Sequence, residues 1–152
     1  MSNTLKTSYN NAATSLTITI NSLSSANYAT SNAFQVSTNN GRDVIVECAF
    51  AVGTVSGNKQ VIVYVIGSSD GSNYDIANSS SSDTTHDTMM AVLGVVNTPN
   101  NSETVRRRFS LAAAYGGTPP PYVKLVVKND TGAALSGSGN AINTTEVWDV
   151  IA

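Results

Sequence analysis

Apolar side chains recur at every second position along much of the chain, the period of a β-strand with one face buried. In SLTITINSL, residues 15–23, Leu16, Ile18 and Ile20 alternate with Thr17, Thr19 and Asn21, and NAFQVS, residues 32–37, repeats the pattern with Phe34 and Val36 on one side. In DVIVECAFAVGTV, residues 43–55, Val44, Val46, Cys48 and Phe50 share a face. Their alternates Ile45, Glu47, Ala49 and Ala51 predict a second face that is only partly covered. KQVIVYVIGSS, residues 59–69, is apolar on both faces, as expected of a central strand covered on both sides. Further strands are predicted in MMAVLGVV (89–96), ETVRRRFSLA (103–112), YVKLVVKND (122–130) and TEVWDVIA (145–152).

Turn chemistry separates these runs. NNGR, residues 39–42, marks a tight turn, and Ser56-Gly57-Asn58 predicts that the runs on either side form an antiparallel hairpin. Proline has no amide donor for a central ladder, so Pro119, Pro120 and Pro121 form a stiff lead-in to the next strand. In that strand Val123, Leu125 and Val127 face the core, Lys124 and Lys128 face water, and Asn129-Asp130-Thr131-Gly132 turns the chain back. Residues 77–88 form a polar loop of uncommon length. LAAA at 111–114 is too short for a convincing helix and meets Gly116-Gly117 at once. About eight short strands without an internal repeat predict an all-β fold, a single antiparallel β-sandwich of jelly-roll type, with an up-and-down β-barrel as the alternative. Residues 1–12, poor in apolar side chains, read as a flexible N-terminal arm that orders against a partner, leaving 13–152 as one sandwich domain.

Composition sharpens this picture. Ser, Thr and Asn fill 54 of 152 positions and charged residues only 12%, against about 25% in ordinary soluble domains. The surface is therefore polar and largely uncharged. Eight basic residues and a net charge of -2 argue against a broad grip on nucleic acid. No apolar stretch approaches the ~20 residues that span a bilayer, and MSNTLKTSYNNAATS lacks the apolar segment of a secretory signal, so neither insertion in a membrane nor export by that route is expected. The single cysteine, Cys48, lies in an apolar run and reads as an inert buried thiol.

Candidate chemistry is sparse. Asp83, His86 and Asp87 lack a second imidazole or a thiolate to complete a metal site, and one histidine in a polar loop does not make a catalytic triad. Asp70, Asn73 and Asp75 gather oxygen atoms without the spacing of a calcium loop and read as a turn held by its own side chains. Nothing in the spacing of Glu47, Glu103 and Glu146 selects a pair for glycoside cleavage. No catalytic, cofactor or metal residue is assigned, and an enzyme is not expected. In VRRRFSL, alternation puts Arg107 on the face of Val105, Phe109 and Leu111, opposite Arg106 and Arg108. Arginine pairs with carboxylates through two donors and is enriched at interfaces, so Arg106, Arg107 and Arg108 are candidate protein-contact residues, with Tyr115, Pro119, Pro120 and Pro121 beside them in sequence. Trp148 alternates with Val150 and is expected in the core rather than as a platform for a sugar ring.

In FSLAAAYGGTPPPYVKLVVKNDTGAALSGSGN, residues 109–140, and in VYVIGSSDGSNYDI, residues 63–76, the chain resembles small virion structural proteins of tailed double-stranded DNA bacteriophages. Within that group, its size and single sandwich are similar to a capsid cement or decoration protein. The resemblance implies a homodimer or homotrimer, made in the bacterial host cytoplasm, that binds the major capsid protein on the outside of the head. It implies no cofactor. A tail, baseplate or neck component, and a carbohydrate-binding module for host attachment, are the alternatives.

Overall fold

The computed structural model describes residues 4–10, 12–36, 41–76 and 89–151. Ten strands form two antiparallel sheets: β1 (Leu5–Tyr9), β2 (Thr14–Ser15), β3 (Tyr28–Thr30), β4 (Phe34–Gln35), β5 (Asp43–Ala51), β6 (Gln60–Ser68), β7 (Ala91–Asn97), β8 (Thr104–Ser110), β9 (Tyr122–Asp130) and β10 (Ala141–Ile151). The first sheet runs β1-β10-β5-β8, with β2 also on β10; the second runs β3-β9-β6-β7, with β4 also on β9. From β4 onward the chain changes sheet at every connection except β6 to β7. Such wrapping of two five-stranded sheets, each four strands wide, is the jelly-roll arrangement, and it excludes an up-and-down barrel, in which sequence neighbours pair throughout.

Core residues come from the period-two faces. Val44, Val46, Cys48 and Phe50 of β5 and Ile142 of β10 meet Val61, Val63 and Val65 of β6 and Val123, Leu125 and Val127 of β9 between the sheets. Each fully buried side chain of this size stabilises the fold by roughly 1.5–3 kcal/mol over leaving it in water. β6 is central and covered on both faces, as its sequence predicts: Tyr64 and Ile66 pack on the outer side with Tyr28, Ile76, Met90 and Val126. That outer cluster changes the expectation for β9. Lys124 and Lys128 do not simply face water; their ammonium groups sit over the rings of Tyr74 and Tyr28, at 4.1 and 5.2 Å from the centroids.

Other expectations are also corrected. Residues 43–51 and 60–68 are not a hairpin, since β5 and β6 lie in different sheets. Their connector crosses the end of the sandwich, burying Val52 and Val55, while Ser56 donates its main-chain N–H to the Thr131 carbonyl (2.7 Å) and Val55 donates to Asn101 Oδ1 (2.9 Å). Turn residues report that the chain reverses and not which layer receives it. SLTITINSL alternates in burial but joins a ladder only at its first residue, Ser15 in β2. Trp148 lies outside both apolar clusters and is half-buried near the end of β10. One helical turn, α1 (Leu111–Ala114), does form, capped by Ser110 Oγ accepting from the Ala113 N–H (3.1 Å). Leu5–Tyr9, within the stretch read as an arm, pairs as β1 with residues 147–151 of β10. The loop 77–88 and Asn39 and Asn40 of the NNGR turn lie outside the described residues.

The turn after β9 shows why polar residues stand there. Asn129 is fully buried, donates to the Leu23 and Ala133 carbonyls (both 2.7 Å) and accepts from Thr131. Gly132 follows at φ +80°, where a Cβ would lie 2.6 Å from the Ser56 carbonyl oxygen. Glycine meets both demands.

Candidate functional site

β8 is the last strand of the first sheet, paired only with β5 among the described residues. Val52 donates its N–H to the Glu103 carbonyl (2.9 Å) just beyond the ladder, and the β5–β8 register continues from that pair. Antiparallel pairs alternate between hydrogen-bonded and non-hydrogen-bonded. Val105, Arg107 and Phe109 therefore direct their main-chain groups to β5, while Arg106 and Arg108 direct theirs to the free edge. The Arg107 Nη1 donates to the Arg106 carbonyl (3.2 Å), as that outward orientation allows.

The three guanidinium groups differ in their partners. Arg108, opposite Glu47, donates from Nε to Glu47 Oε2 at 2.5 Å. The closer approach of a non-hydrogen-bonded pair favours this contact. Arg106 and Arg107 are exposed and have no ion pair among the described residues. Arg107 shares the inward side of the strand with Val105 and Phe109, as alternation predicts, and its stem carries the charge out at the edge. Glu47 and the triplet line a cleft of about 550 Å³. A second cleft of about 370 Å³, lined by Tyr9, Ala13, Ile45, Glu47, Arg108 and Thr145, shares two of those residues. Sequence reasoning noted Glu47 as a carboxylate but missed its pairing with Arg108, which only the β5–β8 register reveals.

Tyr115 and the prolines are not gathered with the arginines. Tyr115 packs against the core, its hydroxyl buried without a hydrogen-bond partner among the described residues. Burial, helped by the charge of Asp75, pushes its pKa up to about 12. Pro120 packs on Gly67, and Pro119 is buried beside a separate cleft that also includes Gly41, Asp43 and Ser110. Pro121 is exposed, and its carbonyl accepts from the Val36 N–H (2.8 Å). This segment delivers the chain rigidly to β9.

The described aspartates are all spent on structural hydrogen bonds. Asp43 accepts from the Val44 and Ala112 N–H groups and from Ser110 Oγ. Asp75 accepts from Gly67, Asp130 from Asn58 and Gln60, and Asp149 from Arg42 and Thr7. Asp70 holds the turn predicted for it: the main-chain N–H groups of Asn73 and Ser72, then the side chains of Asn73 and Ser68, hold its carboxyl well below the usual carboxylate range. Its contribution to stability is present above that usual range and is lost only in strong acid. Among the described residues no group of three His, Cys, Asp or Glu could hold a metal ion. Asp83, His86 and Asp87 lie outside them. Burial, with a smaller effect of Glu47, pushes the Cys48 thiol up to about 12, so the reactive thiolate is suppressed.

The other edge of the first sheet belongs to β1, which pairs only with β10 among the described residues. Asn10 donates its N–H to the Glu146 carbonyl (3.2 Å), which continues the β1–β10 register and turns the main-chain groups of Leu5, Thr7 and Tyr9 outward. Leu5, Tyr9 and Ile151 are exposed there.

No family model matches the chain, and no curated protein matches it. Similar solved structures include an exo-β-1,3-galactanase from Phanerochaete chrysosporium with galactose, at 12% identity and a TM-score of 0.36, over 97% of this chain and 30% of that one. The same galactanase with β-1,3-galactotriose gives 14% identity and a TM-score of 0.34 over the same shares. A Cellvibrio japonicus xylanase in complex with xylopentaose gives 12% and 0.29, over 100% of this chain and 28% of that one. The chain spans less than a third of the length of these proteins, and likeness at this level carries no argument about function.

Proposed function

We propose that the chain is a virion structural protein of a tailed double-stranded DNA bacteriophage, a cement or decoration protein that binds the outside of the capsid and holds neighbouring major capsid subunits together. One observation carries the reading: among the described residues a single sandwich presents two unpaired edges of one sheet, a basic one at β8 and an apolar-tipped one at β1, so one molecule can grip two neighbours. The resemblance of residues 63–76 and 109–140 to such proteins supports the virion setting, and the structural use of the aspartates fits a mechanical role. Copies pair through β1. A two-fold centred on Thr7 sets Leu5 against Tyr9 of the other copy, with the outward main-chain groups in register and Lys6 opposite Ser8, so that no like charges meet. Weak contacts of this kind sum to strong attachment when many copies cover one shell.

The test is to quantify the chain in purified heads and tails and to heat particles made without it. The expected result is head-associated copies in a fixed ratio to the major capsid protein, and release of DNA at a lower temperature when the chain is missing. Recovery in the tail fraction would assign it to the tail, baseplate or neck instead.

A further inference from the structure

The basic edge has a more specific chemistry than an arginine patch. Its outward main-chain donors and acceptors at Arg106 and Arg108 need a ladder partner, and their side chains, both on the outer face, need negative charge. A second copy of β8 fits poorly: the two-fold pairing that uses the whole strand is centred on Arg107 and would set Arg106 of one copy against Arg108 of the other, and like charges directly opposite are destabilising. Nucleic acid offers phosphate acceptors but no alternating donors and acceptors for a strand edge. An extended polypeptide with carboxylates satisfies both requirements.

We propose that the free edge of β8 docks an acidic, extended segment of a partner protein, which adds as an antiparallel strand and sets two carboxylates, two residues apart, over Arg106 and Arg108. The spacing follows from the ladder. Residues opposite Arg106 and Arg108 form hydrogen-bonded pairs with them and project to the same outer face, where the cleft lined by Glu47 and the arginines lies. Glu47 accepts from the Nε of Arg108, and among the described residues the terminal nitrogens of that guanidinium have no acceptor, which leaves them for a second carboxylate. In the free protein Arg107 caps the Arg106 carbonyl. An incoming N–H replaces that bond, and the cap also blunts the edge against indiscriminate pairing. The inference deepens the virion reading, which would make the partner a neighbouring shell protein, but the docking chemistry stands on β8 alone.

The experiment uses labelled peptides of about eight residues, the length of an ordinary strand. The parent is rich in Val and Thr with two Glu at alternate positions; one variant replaces both Glu by Gln, and another carries proline at the residue opposite Arg106. A short single-stranded oligonucleotide is the fourth probe. Fluorescence anisotropy against the full chain should show the parent binding and the Gln and proline variants each weakened by about tenfold or more, one lost charge-assisted pair or ladder bond being worth about that factor. Arg106→Gln should weaken the parent by about fivefold to tenfold with unchanged circular dichroism. NMR should show the Arg106 and Arg108 amides shifting and becoming protected from exchange. No binding by about 1 mM, equal binding of the Gln or proline variant, or equal binding of the oligonucleotide would each overturn the proposal. Failure here leaves the position on the particle unaffected, and a tail location leaves the peptide result unaffected.

Discussion

β1 and β8 bound the same sheet on opposite sides, yet they are anchored differently. β8 runs into the fully buried Leu111, and its Phe109 ring packs so closely on Gly94 of β7 that a Cβ at Gly94 would overlap it, tying the two layers together. β1 touches the rest of the molecule through β10, with Leu5 and Tyr9 exposed. An edge fixed to the core can present charged groups at set spacing. An edge held by a ladder alone can be lost without loss of the fold.

The largest expected effect is a paired truncation that applies the same chemistry to both edges. Leu111→Ala should lower stability by about 3 kcal/mol, because it removes a fully buried side chain, whereas Leu5→Ala should stay within about 0.5 kcal/mol. Urea denaturation followed by tryptophan fluorescence measures both, and equal losses would erase the distinction between the edges. Next in size is the effect of alkali on the β8 side. Cys48 and Tyr115 have raised pKa values in the folded chain, so their contribution is complete below the unfolded values and is lost as pH rises toward about 12. Stability should fall as pH rises from 9 toward 12, and Cys48→Ala should make that fall shallower. Because Cys48 lies opposite Arg107, iodoacetamide labelling at pH 8 also reports whether β8 opens; the native protein should remain unlabelled.

Removing residues 1–12 should cost about 1 kcal/mol or less, since β1 buries little. It should abolish self-association in sedimentation velocity and lower occupancy on particles. A monomeric wild-type chain, or unchanged occupancy, would contradict the role given to β1. Smallest is Glu47→Gln. This exposed ion pair should contribute no more than about 1 kcal/mol, and the change should fade further in high salt.

The strand content and the two-layer fold were legible because alternation reports which side chains face inward, as β5 and β9 do over most of their length, while the unbroken apolar run of β6 marks a strand covered on both faces. Connectivity was less legible. The Ser56-Gly57-Asn58 reversal crosses between sheets, a distinction that turn composition does not carry. SLTITINSL shows the converse limit, alternating in burial while only its first residue joins a strand ladder. At the site, alternation placed Arg107 apart from Arg106 and Arg108 correctly. The free edge and the Glu47 partner required register, which depends on contacts 61 residues apart in the chain. Tyr115 and Pro119–Pro121 stood next to the arginines only in sequence; folding carries them to the lead-in of β9, in the other sheet.

If the proposed role holds, both free edges of the first sheet are occupied on an assembled particle. Cryo-electron microscopy of intact virions tests it most directly. The expected density is this sandwich on the outer surface of the head, with β8 continued by an acidic strand of the neighbouring shell protein and β1 paired with a second copy. Density in the tail, or a head-bound molecule with both edges facing solvent, would contradict it.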